Sequence, residues 1–258
     1  MSTKLLVDQA GHGPKLTLIH GWAMHGGLFA GLRAELPDHQ CLRVDLPGHG
    51  QSHDQAWPAN SSELVHELAG VAQGGWIAGW SLGGLLAMKA ALAAPSQIRG
   101  LILIAATPCF GQRPHWPHGV AEPLVAQLAR ELETGPEQVL NRFLALEVHG
   151  SEHAAADLRL LKQEAFRYGL PDPQALAAGL ALLQNSDLTP ELGKLDMPVV
   201  LVGGRRDKLV PFSALEASAE LLPKAKVWRI PGAAHAPFLT NPGQVAEAIR
   251  SLTTELAA

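Results

Sequence analysis

The chain has 258 residues, enough for one α/β domain with a full core. Hydrophobic residues make up 47% and charged residues 17%, the balance of a compact fold and not of a disordered chain. The formal charge of −4 excludes general affinity for nucleic acid or anionic membranes, and the 12 histidines soften that only below about pH 6.5.

The first stretch, "MSTKLLVDQAGHGPK", lacks the apolar core and cleavage pattern of a secretion signal. No apolar run reaches the roughly 18 residues that a membrane span needs. Cys41 and Cys109 make no disulfide framework, so a reducing cytoplasm is the expected location. In chain order, a short apolar run predicts a strand over 15–21, and helical spacing predicts a helix over 27–36. The alternation continues with a strand over 41–50, a helix over 61–73, a strand over 76–81, a helix over 83–94 and a strand over 98–107. From about 110 to 185 it stops, and four helical patterns follow one another between Pro and Gly punctuation. It resumes with a strand over 198–204, a helix over 213–222, a strand over 226–232 and a helix over 242–256. Most strands read as buried on both faces. The expectation is a single α/β domain over 1–258, a mostly parallel sheet flanked by helices, with a helical lid inserted at about 110–185. In such sheets ligands bind outside the carboxyl ends of the strands.

One stretch carries chemistry. "GWSLGG", residues 79–84, fits G-x-S-x-G and lies between a strand and a helix, the setting in which a serine becomes an exposed nucleophile. The flanking glycines leave room for the strained turn, and the helix start favours developing negative charge. Ser81 needs a base and the base needs an orienting acid. Asp207 in "GGRRDKLVP" and His235 in "PGAAHAPF" follow the last two strands, in the order Ser, Asp, His. A turn aspartate and a loop histidine are the plainer readings of each alone. The three together in this topology read as a triad. "AATPCFGQ", where some hydrolases place the acid, has no carboxylate. The backbone N–H groups of Leu82 and Trp22 are the expected oxyanion donors, with His20 bracing the second loop. His115 and His118 lack a third ligand, "DLPGHGQS" reads as a structural turn, and no dinucleotide fingerprint is present. No metal and no cofactor are therefore expected.

These residues resemble the α/β-hydrolase superfamily over the whole chain. Within it, "LIHGWAM", "DLPGHGQS", "GWSLGGL", "TPCF", "RFLALE" and "AAHAPF" resemble the pimeloyl-[acyl-carrier protein] methyl ester esterases of biotin synthesis. Trp80 beside the nucleophile, "PCF" and "RFLAL" are the more distinctive parts. The resemblance implies a serine carboxylesterase that removes the methyl ester from a pimeloyl chain held on acyl-carrier protein. It implies acyl contacts at Trp22, Ser81, Leu82, Phe143, Leu144, Ala145, Leu146, Glu147 and His235. It also implies carrier docking by basic residues of the lid. Arg142 and Arg159 match, whereas Gln138 and Ala155 stand where a fully basic version carries arginine. Lys162 shares a helix face with Arg159.

Over 111–185 the six basic residues are outnumbered by nine acidic ones, so any docking patch is local. An ordinary solvated helix surface competes with docking, and lid packing competes with acyl contact along Phe143–Leu146. Two further alternatives share the same residues: a broad-specificity short-chain carboxylesterase, and a hydrolase-fold ligand receptor. Nothing in the sequence calls for more than a monomer.

Overall fold

The structure, a computed structural model, describes residues 5–254. Seven strands form one sheet: β1 (Leu6–Ala10), β2 (Lys15–Ile19), β3 (Gln40–Asp45), β4 (Gly75–Trp80), β5 (Ile98–Ile104), β6 (Val199–Gly204) and β7 (Ala225–Ile230). Their order is β1-β3-β2-β4-β5-β6-β7. β1 runs antiparallel to β3, and every other pairing is parallel. The sequence reading lacks β1. "LVDQA" exposes residues on both sides and has no apolar run to betray it. It is an edge strand held by its ladder with β3.

The helices that connect strands are α1 (Ala30–Ala34), α2 (Ser61–Ala72), α3 (Leu82–Ala93) and α8 (Phe212–Leu221), and α9 (Pro237–Thr240) and α10 (Pro242–Thr253) follow the last strand. Four more, α4 (Glu122–Leu132), α5 (Pro136–Glu147), α6 (Ala154–Ala165) and α7 (Pro173–Asn185), occupy the stretch between β5 and β6. The first expected helix is a 3-10 turn at Gly26–Phe29 running into α1, and residues 255 and 256 of the last lie outside the described residues.

Alternating strand residues divide the core into two layers. Leu101, Leu103, Val199 and Leu201 join α2, α3 and α8 on one face. Ile102, Ile104, Val200 and Val202 join α1, α9 and α10 on the other. β4 and β6 are buried at every position, as a central parallel strand covered on both faces must be. β7, the other edge, is largely exposed. The last residues of α5 straddle the two layers, with Phe143 in the first and Leu144 in the second.

Candidate active site

Four loops at the carboxyl edge of the sheet build the site: those after β2, β4, β6 and β7. Ser81 stands between β4 and α3 with φ 53° and ψ −116°, a left-handed backbone that a side chain rarely adopts. Such a residue costs on the order of 1–3 kcal/mol and persists only where its surroundings impose it. Here Ser81 N–H donates to the Ile104 carbonyl at 3.0 Å, and its own carbonyl accepts from Gly84 and Leu85 at 2.9 and 3.1 Å. The turn is tight enough to require glycine on both sides. A Cβ on Gly79 would sit 2.3 Å from the Gly83 carbonyl oxygen, and one on Gly83 would sit 2.2 Å from that of Ile19.

His235 Nε2 lies 3.0 Å from Ser81 Oγ, and its Nδ1 lies 2.7 Å from Asp207 Oδ2. All three side chains are buried. Asp207 Oδ1 accepts the N–H groups of Leu209 and Val210 at 2.8 and 2.9 Å, so both carboxylate oxygens are engaged. That fixes the carboxylate and leaves Nδ1–H as the donor to it and Nε2 as the acceptor facing the hydroxyl. Burial works to lower the His235 pKa. The Asp207 charge and hydrogen bond, with a further contribution from Glu147, outweigh it and leave the pKa raised.

Leu82 opens α3, so its N–H is one of those that a helix leaves without an internal acceptor. Trp22 lies in the loop after β2. Its indole N–H donates to the Leu176 carbonyl on α7 at 2.8 Å, and its ring meets Phe143 of α5 edge-on at 4.9 Å. His20 holds this loop to its neighbour. Nδ1–H donates to the Gly21 carbonyl at 2.8 Å, while Nε2 accepts Leu46 N–H at 3.0 Å. Burial, His49 and His25 keep the His20 pKa well below its ordinary value, so it stays neutral as that arrangement requires.

Of the α5 residues singled out in the sequence, Phe143 is brought against Trp22, and Leu144 is buried with Trp80 and Phe238 in the second layer. Ala145 faces solvent. Leu146 is half-buried and lines a groove of about 390 Å³ with Val120, Leu124, Lys208 and Leu209. Glu147 is buried beside the histidine, its backbone carbonyl accepting His235 N–H at 3.0 Å. Arg142 is paired with Glu131 of α4. Arg159 is exposed and Lys162 half-buried on α6.

Sequence reasoning gave Trp80 no part in positioning. Its indole N–H donates to the His235 carbonyl at 2.8 Å, which anchors the histidine loop under the sheet edge. A tryptophan on the strand before the elbow was visible, but not its partner 155 residues away. His115 pairs with Asp187, and His118 lies beside Ser213. Among the described residues no group of three or more His, Cys, Asp or Glu has an arrangement that would hold a metal ion.

A family model described as the alpha/beta hydrolase fold matches residues 14–242, and the chain belongs to that family. A solved esterase from Exiguobacterium antarcticum superposes with a TM-score of 0.84 at 21% identity, covering 97% of this chain and 95% of that one. That likeness shows the fold. A pimeloyl-[acyl-carrier protein] methyl ester esterase of Xanthomonas oryzae pv. oryzae (strain MAFF 311018) is 45% identical over 245 residues, 95% of this chain and 96% of the relative. One from Xylella fastidiosa (strain M23) is 41% identical over 255 residues, 98% and 100% of the two chains. Within the hydrolase fold, this chain belongs to the family of the pimeloyl-[acyl-carrier protein] methyl ester esterases.

Proposed function

We propose that this chain is a serine carboxylesterase that hydrolyses the methyl ester of pimeloyl-[acyl-carrier protein], giving pimeloyl-[acyl-carrier protein] and methanol for biotin synthesis. The observation that carries the chemistry is the unbroken contact from Asp207 through His235 to Ser81 Oγ. The near full-length likeness to the two esterases carries the substrate.

In this reading Ser81 Oγ attacks the ester carbonyl as His235 Nε2 takes its proton. Asp207 holds the resulting imidazolium, and the N–H groups of Trp22 and Leu82 receive the oxyanion. His235 returns the proton to the departing methoxide, which leaves as methanol. A water molecule then attacks the acyl-enzyme by the same route, and Ser81 regains its proton.

Helices α4 to α7 act as a lid, with Phe143, Leu146 and Glu147 of α5, Trp22 and Leu82 meeting the acyl chain, while Ala145 faces solvent and Leu144 packs the second core layer. Arg142, Arg159 and Lys162 dock the acidic carrier. The Arg142 pair with Glu131 is exposed, so opening it for a carrier carboxylate costs little. No helix among the described residues is long and apolar enough to cross a membrane. Both cysteines are buried and free, which suits a reducing cytoplasm. Ser81, Asp207 and His235 come from one chain, so a monomer suffices.

The test is release of methanol from the purified methyl-pimeloyl carrier protein, with Ser81→Ala as control, alongside rescue of a biotin auxotroph lacking this esterase. Turnover of short free esters with none of the carrier ester would replace this reading by a broad-specificity carboxylesterase.

A further inference from the structure

Glu147 ends α5 with only 1% of its surface exposed, and neither carboxyl oxygen has a hydrogen-bond partner. Burying an ionised carboxylate without partners is costly, so the group holds its proton instead. Desolvation pushes its pKa up to about 8, with Asp207 adding to the rise and His235 opposing it. The same residue is joined to the triad through the backbone, since its carbonyl takes His235 N–H.

Two carboxyl groups thus act on one imidazole, and they are built differently. Asp207 is satisfied by His235 and two backbone N–H groups. Glu147 is satisfied by nothing. The carboxylates on neighbouring elements have partners of their own. On α6, Asp157 accepts the Ser151 hydroxyl, and Glu164 faces His25 and Arg167. On α4, Glu131 holds Arg142, and in the loop after α5 Glu152 holds Arg206. His235 and Asp207 are the titratable groups that act on Glu147.

Resting on the triad reading above, we propose that Glu147 is a positioning residue whose charge is coupled across the buried site to that of His235 and so sets the pH at which the base becomes free. The doubly protonated pair loses its first proton from either partner. If His235 gives it up, the imidazole can accept the Ser81 proton. If Glu147 gives it up, the carboxylate keeps the imidazole protonated and the base is silent. Only loss of the second proton frees the imidazole in every molecule, and it then works beside a carboxylate that favours the imidazolium formed during attack. Interacting groups of this kind titrate as a pair, in two steps.

The experiment compares the full-length wild type with Glu147→Gln, which keeps shape and removes the charge, and with the apolar Glu147→Met. kcat/KM for a p-nitrophenyl ester is followed against pH, and the His235 imidazole is titrated by NMR in isotope-labelled protein. The wild type should rise in two steps. Both variants should rise in one, with the His235 midpoint lower by about one pH unit, the shift expected when a neighbouring opposite charge is lost. Wild-type and variant profiles that superimpose, with an unmoved His235 midpoint, overturn the proposal. Because the imidazole titration needs no turnover, a chain that hydrolyses no ester would sink the esterase reading and still report on Glu147.

Discussion

The loops at the carboxyl edge of the sheet and the helices inserted between β5 and β6 solve opposite problems. In the loops, buried polar groups are fixed by short bonds that leave little freedom. Asp207 takes three donors, His235 is held from both ring nitrogens and through its carbonyl, and Ser81 is locked in a left-handed turn. In the inserted helices most polar groups face outward, and among the described residues Glu147, Asp157 and Glu164 are the buried carboxyls. Arg142–Glu131 is a surface pair, Arg167 reaches from the surface to a buried Glu164, and Leu124, Leu160, Tyr168 and Leu170 are exposed. The first region is built for one geometry, and the second keeps a surface that a partner can still rearrange. Glu147 belongs by position to the second and by burial to the first.

The comparison breaks if the loop residues can be changed without large loss. Ser81→Ala should lower ester hydrolysis by roughly 10⁴- to 10⁶-fold while circular dichroism and melting stay near wild type. Asp207→Asn should cost about 10⁴-fold in kcat with little change in KM, since the amide disrupts the tautomer that aims Nε2 at Ser81. An effect of tenfold or less in either variant, measured by steady-state kinetics, would remove these residues from the chemistry.

Much of the loop region was legible in the sequence because each group is tied to a strand end. An apolar run followed by "GWSLGG", "GGRRD" or "PGAAH" gives both the strand and the side of the sheet on which its loop emerges. Parallel pairing then brings those loops together whatever lies between them in the chain. The inserted helices offered less. Their periodicity gave the four elements, but a helical period shows which face is buried and not against what. Phe143 and Leu144 are adjacent in sequence yet enter different core layers. Glu147 lies at i+4 from Phe143 and i+3 from Leu144, so a carboxylate on the apolar face was a signal in plain sight. Its neighbours His235 and Asp207 are distant in sequence, so its charge state was not readable there.

Glu147 sharpens the comparison through stability. Its folded pKa of about 8 lies above the ordinary carboxyl value of 4.5, so the native state binds more protons than the unfolded chain between those values. The contribution is therefore complete below about pH 4.5 and is lost as pH rises towards about 8. In denaturant titrations, Glu147→Gln should match the wild type near pH 4 and exceed it at pH 8, by on the order of a few kcal/mol. Parallel curves across that range would mean that the carboxyl is solvated. Trp80→Phe should have a smaller effect. It leaves the His235 carbonyl without its donor and should lower stability by about 1–3 kcal/mol in the same assay.

The smallest expected effect falls on the inserted helices and separates docking from a plain solvated surface. Arg142→Glu combined with Arg159→Glu should change stability by no more than about 0.5 kcal/mol, because both side chains are exposed and neither supports the core. Turnover of a p-nitrophenyl ester should be unaffected, since no group of the triad moves. KM for the acyl-carrier ester should rise about tenfold, equivalent to about 1.4 kcal/mol, as acidic residues of the carrier meet negative charge in place of positive. The difference between variant and wild type should shrink as ionic strength is raised, because exposed charges are screened over about 8–10 Å. A variant that handles both substrates as the wild type does would leave α5 and α6 with ordinary solvated faces and move the carrier to another surface. A loss on both substrates together would place the damage in the lid's packing. Only a loss confined to the carrier ester assigns these arginines to docking.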